Sequence, residues 1–312
     1  MKLLNMNFIT FFNCKANKYK GLLSAAIFSL MVLGCTTSKQ FTQLNTEAKT
    51  AYTAKDYETA LVKYDSLIAL KKEKGKKVSG KVYNYAGLAA FNADNTSKTI
   101  TYLQQALHDS AATADAYYAL ARSYKKIDNL SKEINNLQAY VKKFPDGKDI
   151  ISVRKRLFET LVESENYDQA LGLWKNMTSE SKSSEEMLTD YLILNRELNN
   201  NDTCGEVANK LLDINKDNKE ALDWLARKYF WKAENLYQDE MKAYKAHRTR
   251  KQYAHLLKAL KIVNKDFDRA LKYFKRLYNL EPSKEYAKFI GNIYRRFDNK
   301  QKADYYLEKA GK

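Results

Sequence analysis

The clearest hydrophobic pattern in the chain lies between residues 266 and 280. Its apolar side chains recur every three or four residues, at Phe267, Ala270, Leu271, Phe274, Leu277 and Tyr278. This spacing is that of one buried face of an α-helix. Pro282 then removes a backbone N–H, so we expect the helix to end near Leu280. Two shorter helices are predicted after it, with buried faces at Ile290, Gly291 and Tyr294 and at Ala303, Tyr306 and Leu307.

The same pattern recurs along the chain, usually with a small side chain where two helices would meet. In the second helix of each pair this position holds Ala60, Thr99, Glu133, Ala170, Cys204, Ala270 and Ala303. Successive members are one repeat apart, except that Cys204 and Ala270 are separated by two. In the first helix the position holds Ala48, Gly87, Ala121, Ala226 and Gly291. Phe158, Leu192 and Lys258 depart from this rule, so we expect those pairs to be splayed. The arrangement resembles the tetratricopeptide repeat, a pair of helices of about 34 residues.

This resemblance implies an all-α solenoid of about eight tetratricopeptide-like hairpins over residues 44–312. Both prolines, Pro145 and Pro282, fall at the predicted end of a second helix. Residues 219–249 leave two interpretations, a hairpin turning near residues 231–235 or one helix continuing to about Lys245. The continuous helix is favoured because the segment lacks Gly and Pro and is rich in good helix formers. Separate helices are expected over residues 250–263 and from Asp266 onward.

Residues 1–34 resemble a bacterial lipoprotein signal peptide. Lys15, Lys18 and Lys20 precede an apolar run over residues 21–34, which is too short for a comfortable membrane span. The run ends Val32-Leu33-Gly34-Cys35, which is similar to a lipobox, so Cys35 is the expected site of acylation. An uncleaved signal anchor is the alternative, and either Met1 or Met6 could be the start. Residues 35–43 are expected to form a short polar tether.

Processing at Cys35 would also decide the compartment and the cysteine chemistry. Cys14 would leave with the signal peptide, so Cys204 would be the one remaining thiol and no intramolecular disulfide could form. The residues after Cys35 lack both an aspartate and an acidic run. This favours the periplasmic face of the outer membrane, with the lipid as the contact to the membrane.

Positive charge is concentrated in one segment. The chain has a net charge of +17, and residues 241–277 hold twelve Lys and Arg against two Asp, giving +10. The predicted basic patch consists of Lys242, Lys245, Arg248, Arg250, Lys251, Lys258 and Lys261, extended by Lys272, Lys275 and Arg276 from the next helix. Such a surface attracts acidic proteins or anionic lipids and polymers, and export argues against nucleic acid as the partner. The alternative is a solvated helix face that only maintains solubility.

The resemblance also implies that first helices line a concave groove. The side chains expected to point into it are Tyr52, Asn84, Phe91, Arg122, Lys125 and Phe230. The lysine and asparagine clamp with which some relatives hold a carboxyl terminus is not repeated. The corresponding positions instead read Asn45, Lys49, Tyr85, Asp115 and Ala119.

Catalytic chemistry is not indicated. His108, His247 and His255 are the three histidines, and no cysteine or carboxylate completes a metal set around them. The chain contains no metalloprotease, hydrolase, phosphate-loop or EF-hand motif. We therefore expect neither an enzyme nor a cofactor. The sequence predicts a lipid-anchored envelope scaffold that binds protein partners with acidic segments through a groove and a basic patch. The alternative is a module that binds an anionic envelope polymer or lipid.

Overall fold

The computed structural model describes residues 37–311, which form fourteen α-helices and no β-strand. The helices are α1 (37–53), α2 (Tyr57–Glu73), α3 (Gly80–Asn92), α4 (Thr96–His108), α5 (Ala114–Lys126), α6 (Leu130–Lys143), α7 (Ile150–Glu163), α8 (Tyr167–Lys175), α9 (Glu185–Glu197), α10 (Asn201–Ile214), α11 (Lys219–Ala246), α12 (Arg250–Leu280), α13 (Lys284–Arg296) and α14 (Lys300–Lys309). Successive helices pair into hairpins, which confirms the predicted all-α solenoid of tetratricopeptide-like repeats. The described residues contain seven hairpins where about eight were expected.

The chain divides at Ile150 into two compact units. Unit 1 contains the hairpins α1–α2, α3–α4 and α5–α6. Unit 2 contains α7–α8, α9–α10, α11–α12 and α13–α14. Within these units no helix has the length and apolarity needed to span a membrane, for the residues that the structure describes.

Six of the seven hairpins turn through the same short polar sequence. Each of these turns contains one residue in the left-handed region, with a φ angle of 54° to 62°. These residues are Lys55, Asp94, Asp128, Glu165, Asn199 and Asp298. The next residue is the N-cap that immediately precedes the second helix. The six N-caps are Asp56, Asn95, Asn129, Asn166, Asn200 and Asn299. The N–H of each donates to the carbonyl five residues earlier, at 2.8–3.0 Å. This bond closes the first helix while the Asp or Asn starts the second, so glycine is not needed.

The predicted contact positions lie in the core. All seven second-helix residues of the pattern, from Ala60 to Ala303, are at most 1% exposed. In α7–α8 the large Phe158 replaces the small residue, and its ring lies 4.9 Å from that of Trp174. The backbones of these two helices make far fewer close contacts than those of α3 and α4, as expected for a splayed pair.

The α11–α12 hairpin differs from the others in length. Helix α11 runs for 28 residues without a break, which confirms the favoured interpretation of residues 219–249. Helix α12 runs for 31 residues, so the expected break between Val263 and Asp266 is wrong. The reason is that Asp266 does not start a helix; it is 2% exposed and its carboxylate lies 2.9 Å from Lys232 Nζ on α11. These two long helices form one hairpin, which accounts for seven hairpins where about eight were expected.

The expected tether is also shorter than predicted. Residues 37–43 are already helical in α1. Phe41 and Leu44 pack against the core of unit 1, and Thr42 Oγ1 donates to the carbonyl of Ser38 at 3.1 Å. Most of the segment predicted as a tether is therefore part of the first helix. The predicted signal peptide and Cys35 lie outside the described residues.

Candidate functional site

An aromatic cleft of unit 2 lies between α11 and α13. It has a volume of about 480 Å³. Its lining residues come from these two helices: Phe230, Trp231, Glu234, Glu285, Lys288, Phe289, Asn292, Arg295 and Arg296. We call this site the α11–α13 cleft. Because α11 and α13 are the first helices of neighbouring hairpins, the cleft lies where the repeat resemblance places a groove.

The floor of the cleft is aromatic. Phe230 is only 5% exposed, and its ring meets that of Phe289 edge-on at 4.8 Å. Phe274 stacks on the other side of Phe289 at 4.6 Å, which fixes the position of that ring from the core. Trp231 contacts Phe230 edge-on at 5.2 Å and is 51% exposed. A rigid core thus presents one large aromatic side chain to solvent.

Two ion pairs hold the acidic side chains of the rim. Arg296 Nε donates to Glu234 Oε2 at 3.0 Å, and its guanidinium lies over the ring of Tyr237. Arg227 Nη2 donates to Glu285 Oε1 at 3.0 Å. Both carboxylates of the cleft are therefore already neutralised by arginines.

Two cations of the rim remain available. Lys288 and Arg295 are exposed, and neither forms an ion pair with any residue in the described part of the chain. They border the cleft on α13, on the same helix as Phe289. The cleft therefore combines apolar contact area with unpaired positive charge, which suits a ligand that carries both an apolar group and a carboxylate.

A second cleft of about 250 Å³ adjoins the first on the other side of α11. It is lined by Arg196, Asn201, Asp223, Trp224, Arg227, Lys228 and Trp231. Trp231 belongs to both clefts, and Arg227 reaches from the second to Glu285 on the rim of the first. Lys228 Nζ lies 4.6 Å from the centre of the Trp224 ring. Trp231 thus forms a ridge between two depressions that follow α9, α11 and α13.

The predicted groove residues of unit 1 have mixed positions. Tyr52 and Phe91 are half-buried, and Arg122 and Lys125 are exposed. The Arg122 guanidinium lies 5.3 Å from the centre of the Phe91 ring. Burial, followed by the neighbouring Tyr57, raises the pKa of the Tyr52 hydroxyl. These four side chains can be reached by a ligand, and none of them lines the α11–α13 cleft.

Two predicted groove residues have structural roles instead. Asn84 is 2% exposed, and its side-chain oxygen accepts the N–H of Thr113 at 3.0 Å at the start of α5. This hydrogen bond connects α3 to the start of α5. Phe230 is a core residue that contributes only to the cleft floor.

The basic patch has a different shape from the one predicted. All seven residues, Lys242, Lys245, Arg248, Arg250, Lys251, Lys258 and Lys261, are exposed. They lie at the closed end of the α11–α12 hairpin. Lys272, Lys275 and Arg276 lie on the same α12, but at its far end, where Arg276 Nε donates to Asp217 at 2.6 Å. The α12 residues of the two groups therefore lie along one helix and not on two adjacent helices as expected, with the exposed Lys265 and Arg269 between them.

The patch is also separate from the α11–α13 cleft. Lys242 and Lys245 lie on the same continuous helix as Trp231, closer to its C-terminal end. At a rise of about 1.5 Å per residue, they are roughly 17 to 21 Å from Trp231 along the axis. The cations at or beside the cleft are instead Arg227, Lys288, Arg295 and Arg296, which the sequence did not single out. A usable signal was the row of Trp224, Arg227, Lys228 and Trp231, which share one face of a helix at this spacing.

Comparisons with known proteins are limited to part of the chain or to low similarity. Residues 101–227, less than half of the chain, match the family described as the NOG1 N-terminal helical domain. This stretch begins inside α4 and ends inside α11. No curated protein matches the sequence.

Several solved structures are similar in arrangement. The C-terminal part of a TPR repeat-containing protein from Cytophaga hutchinsonii is 13% identical, with a TM-score of 0.49 over 84% of this chain and 92% of that chain. A tetratricopeptide repeat protein from Parabacteroides merdae is 14% identical, with a TM-score of 0.43 over 88% and 93%. YrrB, a TPR protein with an unusual peptide-binding site, is 19% identical, with a TM-score of 0.46 over 56% and 87%. Because all three scores are below 0.5, the fold assignment rests on the hairpins themselves.

Proposed function

We propose that this protein is a lipid-anchored scaffold of a bacterial cell envelope that binds an extended segment of a partner protein across the α11–α13 cleft. The observation that carries the proposal is the position of Trp231. This tryptophan is 51% exposed, yet its ring packs edge-on against the buried ring of Phe230, which restricts its movement. Rigid aromatic and arginine side chains are the residues that contribute most to protein–protein binding.

The ligand class follows from the shape and charge around Trp231. Clefts lie on both sides of this side chain, so a chain crossing the ridge would contact both. An apolar side chain of the partner would fill the space against Phe289. Acidic side chains of the partner would meet Lys288 and Arg295, which have no ion-pair partner among the described residues.

The composition of the cleft favours binding over catalysis. Its nine lining residues include no serine, cysteine or histidine. The two carboxylates, Glu234 and Glu285, accept hydrogen bonds from Arg296 and Arg227. A nucleophile paired with a general base, the usual requirement for hydrolysis, is not present in this set of residues.

The membrane part of the proposal rests on the N-terminal sequence. The apolar run before Cys35 supports processing and acylation at this residue. Residue 37, two positions after Cys35, is already part of helix α1, so a lipid on Cys35 would lie close to the first helix along the chain. The periplasmic face of the outer membrane is the proposed location.

Site-specific photo-crosslinking in native cells tests this proposal. A photoreactive amino acid at Trp231 should give a discrete protein adduct. The matched control is Tyr305 on α14, which is also an exposed aromatic residue of unit 2, at 56%, but lies outside the cleft. The same adduct from both positions, or none from position 231, would contradict protein binding at the cleft.

A further inference from the structure

The closed end of the α11–α12 hairpin extends beyond the packed core of unit 2. Phe297, just after α13, packs edge-on against Phe267 at 6.3 Å, and Arg296 covers Tyr237 at 4.2 Å. Residues 238–262, which we call the hairpin tip, lie beyond these contacts. Within the described residues, the side-chain contacts found for the tip stay inside the two long helices, such as Tyr244 against Tyr253 at 5.7 Å. About three helical turns of each helix are therefore covered by no other helix.

The tip carries a high positive charge on exposed side chains. It contains seven Lys and Arg residues and two acids, Asp239 and Glu240, giving +5. All seven cations are exposed and none forms an ion pair within residues 37–311. Most other arginines of unit 2, by contrast, are paired, including Arg196, Arg227 and Arg296. Positive charge at the tip is thus left for an external partner.

Exposed apolar side chains accompany these charges. Tyr253, Leu257 and Ile262 are 49%, 45% and 52% exposed. At about 100° per residue, Arg250, Lys251, Lys258 and Lys261 occupy one outward sector of α12 about 100° wide. Tyr253 and Leu257 lie along one edge of that sector and Ile262 along the other. A surface of this kind matches the boundary between lipid headgroups and acyl chains.

We propose that the hairpin tip binds an anionic lipid surface, with the lysines and arginines on the phosphates and Tyr253, Leu257 and Ile262 at the acyl boundary. A second copy of the chain is a poor occupant because two tips of +5 repel each other. None of the residues that line the two clefts described above belongs to the tip, whose exposed charged and apolar side chains lie on the outer surface of α12. A flat lipid surface can meet the outward sector directly. The lipid contact does not depend on what occupies the α11–α13 cleft.

The test measures the accessibility of individual lysines in the full chain. The purified protein is mixed with vesicles of phosphatidylcholine, with or without about one third phosphatidylglycerol. Lysines are then labelled with an amine-reactive reagent and quantified by mass spectrometry. We expect labelling of Lys258 and Lys261 to fall at least threefold only with anionic vesicles, and to recover at high salt because salt screens the attraction. Lys302 on α14 serves as an internal reference. Unchanged labelling at the tip would overturn the proposal.

Two variants separate charge from apolar contact. Replacing Lys242, Lys245, Arg248, Arg250 and Lys251 with Gln should weaken vesicle binding about a hundredfold or more at low salt, with Lys258 and Lys261 still present as reporters. The matched control removes five exposed charges elsewhere in unit 2, at Lys175, Lys210, Lys216, Lys284 and Lys300, and should change binding at the tip less than threefold.

The double variant Tyr253→Ser and Leu257→Ser keeps every charge of the tip. It should weaken protection by anionic vesicles about tenfold while leaving protection by poly-glutamate unchanged. Equal protection by vesicles and by poly-glutamate, with no effect of this double variant, would show a general polyanion site and overturn the assignment to lipid.

Discussion

Gly87 and Leu103 occupy a space that cannot hold two ordinary side chains. A Cβ atom on Gly87 would lie 2.5 Å from Cγ of Leu103, well inside van der Waals contact. Gly291 and Leu307 repeat this relationship at the other end of the chain, with 2.7 Å between the same atoms. In both hairpins the glycine is in the first helix and the leucine in the second. Close helix approach at a first-helix glycine therefore recurs in two hairpins of this chain, one in each unit.

Replacement of Gly87 by Val should lower the free energy of unfolding by about 2–3 kcal/mol, because a packed core cannot absorb the added atoms without strain. Chemical denaturation of the full chain, followed by circular dichroism, measures this effect. The matched control is Gly172→Ala in α8, where an added Cβ meets nothing within 4 Å. This control should raise stability by about 0.5–1 kcal/mol. Equal effects of the two variants would contradict the close approach.

The hydrophobic spacing predicted most of the fold because each repeat buries one face in a similar way. Pro282 ends α12 at Leu280, and Ala60 and Ala303 are buried where the pattern placed them. Asp266 was misleading, since an aspartate before an apolar run often begins a helix, yet here it pairs with Lys232 in the middle of one. That pairing depends on a residue of a different helix and has no local signal.

The binding surface could be predicted less well because exposure depends on neighbouring helices. Asn84 was expected in the groove, but its side-chain oxygen accepts from Thr113, which lies beyond the next helix. Trp231 was not singled out as a binding residue, and its exposure on the continuous α11 depends on how the neighbouring helices pack. Lys288 and Arg295 gain their place beside it from the packing of α13. The hydrophobic spacing predicted which face of each helix is buried. It did not predict which helices pack against one another.

Asp190 should make stability depend on pH. Burial, followed by the nearby carboxylate of Glu159, raises the pKa of Asp190 to about 6, while Arg156 acts in the opposite direction. Glu163 and Glu186 also face this group and raise the pKa further. The folded state thus keeps the proton of Asp190 up to about pH 6, whereas the unfolded chain releases it near pH 4. Stability contributed by this group is present below pH 4 and is lost as the pH rises to 6.

Replacement of Asp190 by Asn should therefore raise the free energy of unfolding at pH 7.5 by about 1–2 kcal/mol, a value reduced for residual exposure to solvent. It should also flatten the dependence of stability on pH between about 4 and 6. Urea denaturation at several pH values measures both. Asp304→Asn, at an exposed site of α14, is the control and should change stability by less than about 0.5 kcal/mol. An unchanged pH profile for Asp190→Asn would contradict this assignment.

Removal of residues 283–312 should give a graded loss of stability. The truncation takes away Phe289, which stacks on Phe274 at 4.6 Å, and Tyr306, which meets Tyr278 at 5.9 Å. Since repeats are stabilised by their neighbours, the melting temperature should fall while most helical circular dichroism remains. A complete loss of helical signal would show that the array does not behave as separable repeats.

Cys35→Ser should block acylation and leave an unprocessed precursor. The expected cause is the loss of the thiol to which the lipid would attach, and the precursor should still carry the whole segment before Cys35. Immunoblotting of membrane and soluble fractions measures size and location together. Cys204→Ser, at a buried position, is the control and should be processed normally. Normal maturation of the Cys35 variant would contradict the lipoprotein interpretation.

The central claim, protein binding at the α11–α13 cleft, is tested most directly by selecting peptides on the full chain. A library of random peptides is enriched on the wild-type protein and in parallel on Trp231→Ala, with Tyr305→Ala as the control for loss of an exposed aromatic ring. We expect the wild type and Tyr305→Ala to enrich the same peptides, with an apolar side chain flanked by Asp or Glu. These peptides should bind Trp231→Ala at least about thirtyfold more weakly, as for the loss of a hot spot of about 2 kcal/mol or more. Equal enrichment and equal affinity on Trp231→Ala would contradict the claim.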